Sequence, residues 1–157
     1  MKKELSHIDK SGNAAMVDVS EKETSVRQAV ASGKVIFPKA VFEELASQDF
    51  LGKKGSILQT AIIAGIQAAK KTAELIPLCH QLNLSKINIE IIPVFPSLEI
   101  TCTVKCTERT GVEMEALTGV SVSCLTIYDM CKALSHDLQI TGIQLKQKSG
   151  GKNDFNR

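Results

Sequence analysis

The chain has 157 residues and a formal net charge of +2, which suits one folded domain and gives no electrostatic reason to bind nucleic acid or a membrane surface. Only 4% of the residues are aromatic, which disfavours a base-stacking surface, and no apolar run approaches the roughly 20 residues of a membrane span. The five cysteines show no CxxC spacing, and no apolar stretch follows the first lysines. We therefore expect a cytoplasmic protein with reduced thiols and no signal peptide.

The first third of the chain is predicted to contain an arm, two short strands and a helix. Residues 1–15 are polar without periodicity and are predicted to be mobile. The stretches MVDVS (16–20) and GKVIF (33–37) are predicted strands. Pro38 suits a helix start and the apolar residues behind it recur at helical spacing, so FPKAVFEELASQ is a predicted helix.

A basic turn and a long helix follow. The turn GKKGS (52–56) offers two lysines beside a helix start, where anions bind readily, although most such turns are solvated loops. Ser56 opens a Ser-x-x-Gln capping box, and the helix is predicted to run to about Ile76, because Pro77 disfavours helical geometry there. A stripe of small residues on this helix allows close approach of another backbone, equally within the fold or between subunits: Ala61, Gly65 and Ala69.

The second half of the chain is predicted to be two strands, a helix and a last strand. KINIEII (86–92) and LEITCTVKC (98–106) alternate apolar residues with others, as strands do. Apolar residues recur at steps of three and four within 113–134, so a second long helix is predicted, with the cysteines of these segments in the core. LQITGIQLK (138–146) is a predicted strand and 149–157 a loose, mobile tail. This order predicts an α+β fold with helices on one face of an antiparallel sheet.

The second helix carries two groups of candidate functional residues. Asp129 and Lys132 lie three residues apart on a face rotated away from the apolar stripe, where spacing alone favours a surface ion pair. Glu113 and Glu115 flank Met114 in the first turn. Carboxylates there suit the helix dipole, or they orient a polar substrate.

The stretch IPLCHQL (76–82) places reactive side chains directly after a helix. Cys79 and His80 are adjacent, so they cannot easily bind one metal ion together, and the sequence contains no second cluster of metal ligands. A zinc site is therefore disfavoured. A nucleophilic Cys–His pair would need the two side chains to face each other, which sequence neighbours rarely do. In isolation the motif favours a packed loop. The second lysine–glycine turn, KSGGK (148–152), would make sense with GKKGS around a phosphate-bearing ligand.

Several long segments, in the same order, resemble one family. From about residue 5 to 152 the chain is similar to molybdenum cofactor biosynthesis protein C, the cyclic pyranopterin monophosphate synthase family. The segments are LSHID, GNAAMVDVS, KKGS, TAIIAGIQAAKKTAELIPLCHQL, TGVEMEALTGVSVSCLTIYDMCKAL and KSGGK. The resemblance implies a ferredoxin-like α+β fold, one domain over 1–157 and a hexamer of three dimers. It also implies conversion of 3′,8-cyclo-7,8-dihydroguanosine 5′-triphosphate to cyclic pyranopterin monophosphate, with release of pyrophosphate and no metal or organic cofactor.

The resemblance also implies roles for individual residues. Asp129 and Lys132 of YDMCK match the family's catalytic aspartate and lysine, and Lys54 of KKGS matches its second catalytic lysine. The positions that match substrate contacts, or that are expected around the same pocket, are Leu78, Cys79, His80, Glu113, Met114, Glu115, Lys148 and Lys152. The chain departs from the family pattern at Ser56, where members often have aspartate, and at Gln81, where they often have proline. Neither departure removes a named catalytic group.

The chemistry of this reaction agrees with these residue types. Opening one ring, building another and closing a cyclic phosphate all require proton transfers. A lysine can carry them if burial or neighbouring cations lower its pKa towards neutrality. The alternative is a non-catalytic nucleotide- or phosphate-binding module, and its RNA-binding form is disfavoured by the low aromatic content and the small net charge.

Overall fold

The fold is built on one five-stranded antiparallel sheet. The computed structural model describes residues 6–157. In chain order the elements are β1 (Ser25–Ile36), α1 (Lys39–Ser47), β2 (Leu51–Gly52), β3 (Gly55–Ser56), α2 (Ile57–Lys70), α3 (Thr72–Leu75), β4 (Leu84–Val94), β5 (Ser97–Glu108), α4 (Glu113–Cys131), β6 (Gln139–Ser149) and β7 (Phe155–Asn156). The main sheet has the order β4-β5-β1-β6-β7, and β2 pairs with β3 in a small hairpin.

The strand order identifies the architecture. Each neighbouring pair in the main sheet is antiparallel, and β1 lies between β5 and β6. The chain leaves β1 and returns through α2 to the outer strand β4, and it leaves β5 and returns through α4 to β6. This is the order of a βαββαβ unit with two crossover helices, to which β7 adds a short edge strand. The predicted ferredoxin-like α+β fold is confirmed.

The core lies between the sheet and the two long helices. Alternate residues of the central strands β1 and β5 face α4 and are fully buried, among them Ala31, Val35 and Ile100. A Cβ at Gly33 would lie 2.7 Å from Val120 Cγ1, so the missing side chain lets α4 rest on β1. The cysteines predicted to pack do so: Cys102, Cys106, Cys124 and Cys131 are buried free thiols.

The small residues of α2 serve packing inside the fold. A Cβ at Gly65 would collide with Ser123 Oγ and Ile89 Cδ1, and would lie 2.8 Å from the carbonyl oxygen of Gly119. Ser123 Oγ also donates to the carbonyl of Ala61 at 3.0 Å, which links the two helices. Of the two readings of the stripe, packing against α4 is therefore the one the structure supports.

The structure corrects two predicted elements. Residues 16–20 are not a strand; Asp18 instead accepts the backbone N–H of Ser20 at 2.9 Å in a local turn. The long helix ends at Lys70, and α3 follows after Lys71, whose N–H donates to the carbonyl of Ala68. The Thr72 hydroxyl donates to the carbonyl of Ala69 at 2.9 Å, and such back-bonding competes with regular helical geometry.

Both ends of the chain contain order that the sequence did not reveal. The first five residues of the predicted arm lie outside the described part of the chain, and further along Ile8 and Ala14 form an isolated bridge. In the predicted tail, β7 pairs with β6.

The predicted Ser56 cap of α2 is confirmed, since its hydroxyl accepts the Gln59 N–H at 3.2 Å.

Candidate active site

A cavity of about 300 Å³ opens at the N-terminal end of α4. We call it the α4 cavity. It is formed by the segment before β1, the loop after α3, the turn before α4 and the first turn of α4. Its lining includes Val17, Val19, Lys22, Leu78, Cys79, His80, Gly111, Glu113, Met114 and Glu115. The segment mistaken for a strand therefore contributes its valines to this wall.

His80 is held in the wall by a backbone contact. Its Nε2 lies 2.7 Å from the carbonyl oxygen of Val17. Because a carbonyl can only accept, Nε2 donates, and in the neutral ring Nδ1 is then an acceptor. Pro77 lies between the end of α3 and this histidine, as the predicted helix stop requires. The histidine is thus fixed in orientation and also lines the cavity.

Glu115 is the buried acid of the cavity. Its side chain belongs to a residue that is only 4% exposed. Burial, with a further contribution from the charge of Glu113, raises its pKa from 4.5 to about 7. Burial, and next the charge of Glu115, also raises the pKa of the Cys79 thiol. Cys79 is therefore a neutral thiol at pH 7 and not a thiolate nucleophile.

A second cavity, of about 220 Å³, adjoins the first. We call it the basic cavity, because five cationic side chains line it: Lys22, Arg27, Arg109, Lys148 and Lys152. The two cavities share Lys22, Thr110, Gly111 and Glu113. All eight residues that the resemblance implies in substrate contact line one cavity or both.

Backbone contacts hold the basic cavity together. Arg27 donates from Nε to the carbonyl of Glu108 at 3.0 Å and from Nη2 to that of Arg109 at 3.2 Å. Gly150 has a φ of 85°, and a Cβ there would collide with the carbonyl of Val26. Only glycine fits this close approach, which carries the KSGGK turn over the start of β1. Sequence reasoning missed Lys22, Arg27 and Arg109, since no motif marks them.

The third group of candidate residues lies elsewhere. Lys132 Nζ donates to Asp129 Oδ1 at 2.7 Å, and both side chains are more than half exposed, at 53% and 68%. The hydrogen bond and charge of Lys132, and then the charge of Lys54 in the β2–β3 hairpin, lower the pKa of Asp129. Asp129 raises the pKa of Lys132, which is opposite to the shift expected for a proton-transferring lysine. We call these three residues the lysine–aspartate cluster.

The cluster and the two cavities lie at opposite ends of α4. Asp129 follows Glu115 by 14 positions in the same helix, which places the two about 21 Å apart along its axis. One chain therefore does not bring all eleven predicted site residues together. It forms two groups, eight residues around the cavities and three in the cluster.

The described residues contain neither a metal-binding cluster nor a membrane-spanning helix. Within residues 6–157, no three His, Cys, Asp or Glu side chains lie close enough together to hold a metal ion. In the same part of the chain, no helix is long and apolar enough to cross a membrane.

The sequence is similar to known proteins over nearly its whole length. It is 50% identical to the cyclic pyranopterin monophosphate synthase of Xanthomonas campestris, with 96% of this chain and 92% of that protein covered. The synthase of Chloroflexus aggregans is 52% identical, at 95% and 90% coverage, and that of Helicobacter hepaticus is 50% identical, at 98% of both chains. The model of the MoaC family matches residues 16–151, and the chain belongs to that family.

Proposed function

We propose that this protein is a cyclic pyranopterin monophosphate synthase of molybdenum cofactor biosynthesis. The observation that carries the proposal is about 50% identity to synthases over nearly the full length of both chains. The whole chain acts as one synthase domain in the cytoplasm. It converts 3′,8-cyclo-7,8-dihydroguanosine 5′-triphosphate to cyclic pyranopterin monophosphate and releases pyrophosphate, without a metal or organic cofactor.

The two adjoining cavities suit the two parts of this substrate. The basic cavity takes the triphosphate, because its five cations match a ligand that carries several negative charges. The same cations stabilise the negative charge that develops as pyrophosphate leaves. The α4 cavity takes the ring system, where the fixed imidazole of His80 and the buried carboxyl of Glu115 offer hydrogen-bonding groups. Because the two cavities share a wall, one substrate molecule can place its triphosphate in one cavity and its ring system in the other.

The lysine–aspartate cluster supplies the proton transfers. Asp129 orients the ammonium group of Lys132, and Lys54 adds a second amine nearby. The reacting atoms of one substrate lie within a few Å of one another, so a cluster about 21 Å away on the same helix cannot reach them. A second copy of the chain must therefore bring its cluster to the cavities of the first.

Assembly also provides the lowered lysine pKa that proton transfer requires and that Lys132 lacks in the single chain. Lys132 is exposed beside a carboxylate, which keeps its pKa high. Contact with a second copy would bury the lysine near the cations of the basic cavity, and both effects lower a lysine pKa. The proposed assembly is the homohexamer of three dimers that the family resemblance implies, with the catalytic site at the contact within a dimer.

Turnover is the direct test of the function. Purified protein is incubated with the cyclised triphosphate, and both pyrophosphate and the pterin product are measured. Lys132→Ala should abolish turnover, whereas Lys34→Ala should not. Lys34 is a matched control, since it is also an exposed lysine paired with a carboxylate, Glu99, at 2.9 Å. Binding without any turnover by the wild type would favour the phosphate-binding module instead.

Complementation tests the shared site. In the proposed dimer each site combines His80 in the cavity of one chain with Lys132 in the cluster of the other chain. A mixed dimer of Lys132→Ala and His80→Ala therefore has one site that carries both substitutions and one site that carries neither. Where each variant alone shows almost no turnover, co-expression of the two should restore about a quarter of the wild-type activity, since half of the dimers are mixed at random association and half of their sites are intact. No recovery, with mixed oligomers demonstrated, would place the complete site in one chain.

A further inference from the structure

One acidic side chain stands between the two cavities. Glu113 Oε1 lies 3.0 Å from Lys148 Nζ, and the two side chains are 28% and 36% exposed. Among the described residues, Glu113 is the only acid that lines the basic cavity, against five cations. In the empty cavity its carboxylate therefore neutralises part of the positive charge that would attract phosphate.

The position of this carboxylate depends on a neighbouring glycine. A Cβ at Gly111 would collide with the Oε2 and Cδ atoms of Glu113. The Glu113 side chain thus folds back over the turn before α4, into space that any other residue at position 111 would fill. The fold back brings the carboxylate to Lys148 at the boundary of the cavities. The ion pair is therefore a product of the local geometry as well as of charge attraction.

A phosphate ligand must compete with Glu113 for Lys148. An ammonium group has three donors, and its charge is shared between all the anions that it contacts. A triphosphate gains from the other four cations and overcomes the competition. Pyrophosphate, once cleaved from the substrate, makes fewer contacts with the protein. Competition from Glu113 therefore weakens the binding of pyrophosphate more than the binding of the triphosphate.

We propose that Glu113 is an internal counter-anion, which binds Lys148 when the basic cavity is empty. By this ion pair, Glu113 lowers the affinity of the basic cavity for pyrophosphate, so that this product leaves. This inference rests on the proposed function, because it assigns the basic cavity to the phosphates. Glu113 acts here through Lys148 and so is a positioning residue; its contact is with the lysine.

Pyrophosphate itself is the probe for the test. Its dissociation constant is measured by calorimetry at constant ionic strength for the wild type, Glu113→Gln and Glu99→Gln. The Glu113 change should lower the dissociation constant about five-fold, which is the upper end for a partly exposed ion pair. Glu99 is paired with Lys34 at 2.9 Å, far from the cavities in the register of the sheet, and its change should have no effect.

Two further measurements separate this role from a structural one. In turnover assays Glu113→Gln should show stronger inhibition by added pyrophosphate, with lower kcat and lower KM. In a Lys148→Met background the same substitution should gain less affinity, because its main partner is gone. Thermal melts of each variant establish that the protein is folded.

The outcomes are distinct for the inference and for the function beneath it. Unchanged or weaker pyrophosphate binding by Glu113→Gln, with binding by the wild type intact, overturns the counter-anion role alone. No pyrophosphate binding by either protein overturns the inference together with the assignment of the basic cavity to phosphates. If Glu113→Gln raises the affinity for pyrophosphate equally in the wild-type and Lys148→Met backgrounds, the proposed competition for Lys148 is also refuted.

Discussion

Replacing Glu115 with glutamine should stabilise the protein in a pH-dependent way. Glu115 is 4% exposed, and its pKa rises on folding from 4.5 to about 7. Between these two values the folded state holds a proton that the unfolded state has released. Stability therefore falls as the pH rises from about 4.5 to about 7 and then becomes constant, so far as this group is concerned. Glutamine has no such proton to lose.

The size of the effect follows from the shift. A pKa rise from 4.5 to about 7 corresponds to roughly 3 kcal/mol of the free energy of unfolding, at about 1.4 kcal/mol for each pH unit. The wild type and Glu115→Gln should thus have similar stability near pH 4.5. The variant should gain steadily up to pH 7 and keep the gain above it.

Urea unfolding at several pH values, at one protein concentration, measures this difference. Taking the difference between the two proteins cancels other titrating groups, such as Asp129, whose pKa is lowered. Glu99→Gln is the control, because it also removes a carboxylate but from an exposed ion pair with Lys34, and Glu99 does not contribute to the pKa shift of Glu115. A wild-type-to-Glu115→Gln difference that does not change between pH 4.5 and 8 would refute the reasoning.

Four other variants test the site and the packing. Asp129→Ala and Lys132→Ala should leave the melting temperature within a few degrees of the wild type, because neither side chain packs in the core of the chain. Both should nearly abolish turnover, because they remove the proposed proton-transferring pair; normal turnover in both would remove the cluster from catalysis. His80→Ala should raise the dissociation constant for substrate at least ten-fold in a binding assay, whereas unchanged affinity would leave the histidine with its Val17 contact alone. Gly65→Ala should lower the free energy of unfolding by about 1–3 kcal/mol in urea, because its Cβ would collide with α4.

Local features of the sequence predicted the elements well. The Ser56 cap, the helix start after Pro38 and the strand pair on either side of the β4–β5 turn all depend on residues close together in the chain. The failures were at places where tertiary partners decide. Residues 16–20 alternate like a strand, but β1 has β5 and β6 as its neighbours and this segment lies beside the α4 cavity. Its valines are half-buried there without any sheet pairing.

The sequence by itself determined the family, the fold class and the identities of the candidate residues, because long motifs and hydrophobic periods are written in neighbouring positions. Only the tertiary structure gathered Lys22, Arg27 and Arg109 with the KSGGK lysines, since the register of β1 with β5 and β6 brings those separate segments together. The separation of Asp129 from Glu115, about 21 Å, in contrast already follows from the rise of 14 residues within the helix that the sequence predicts. Spacing along a chain encodes local hydrogen bonding, whereas distances between remote side chains depend on how the elements pack.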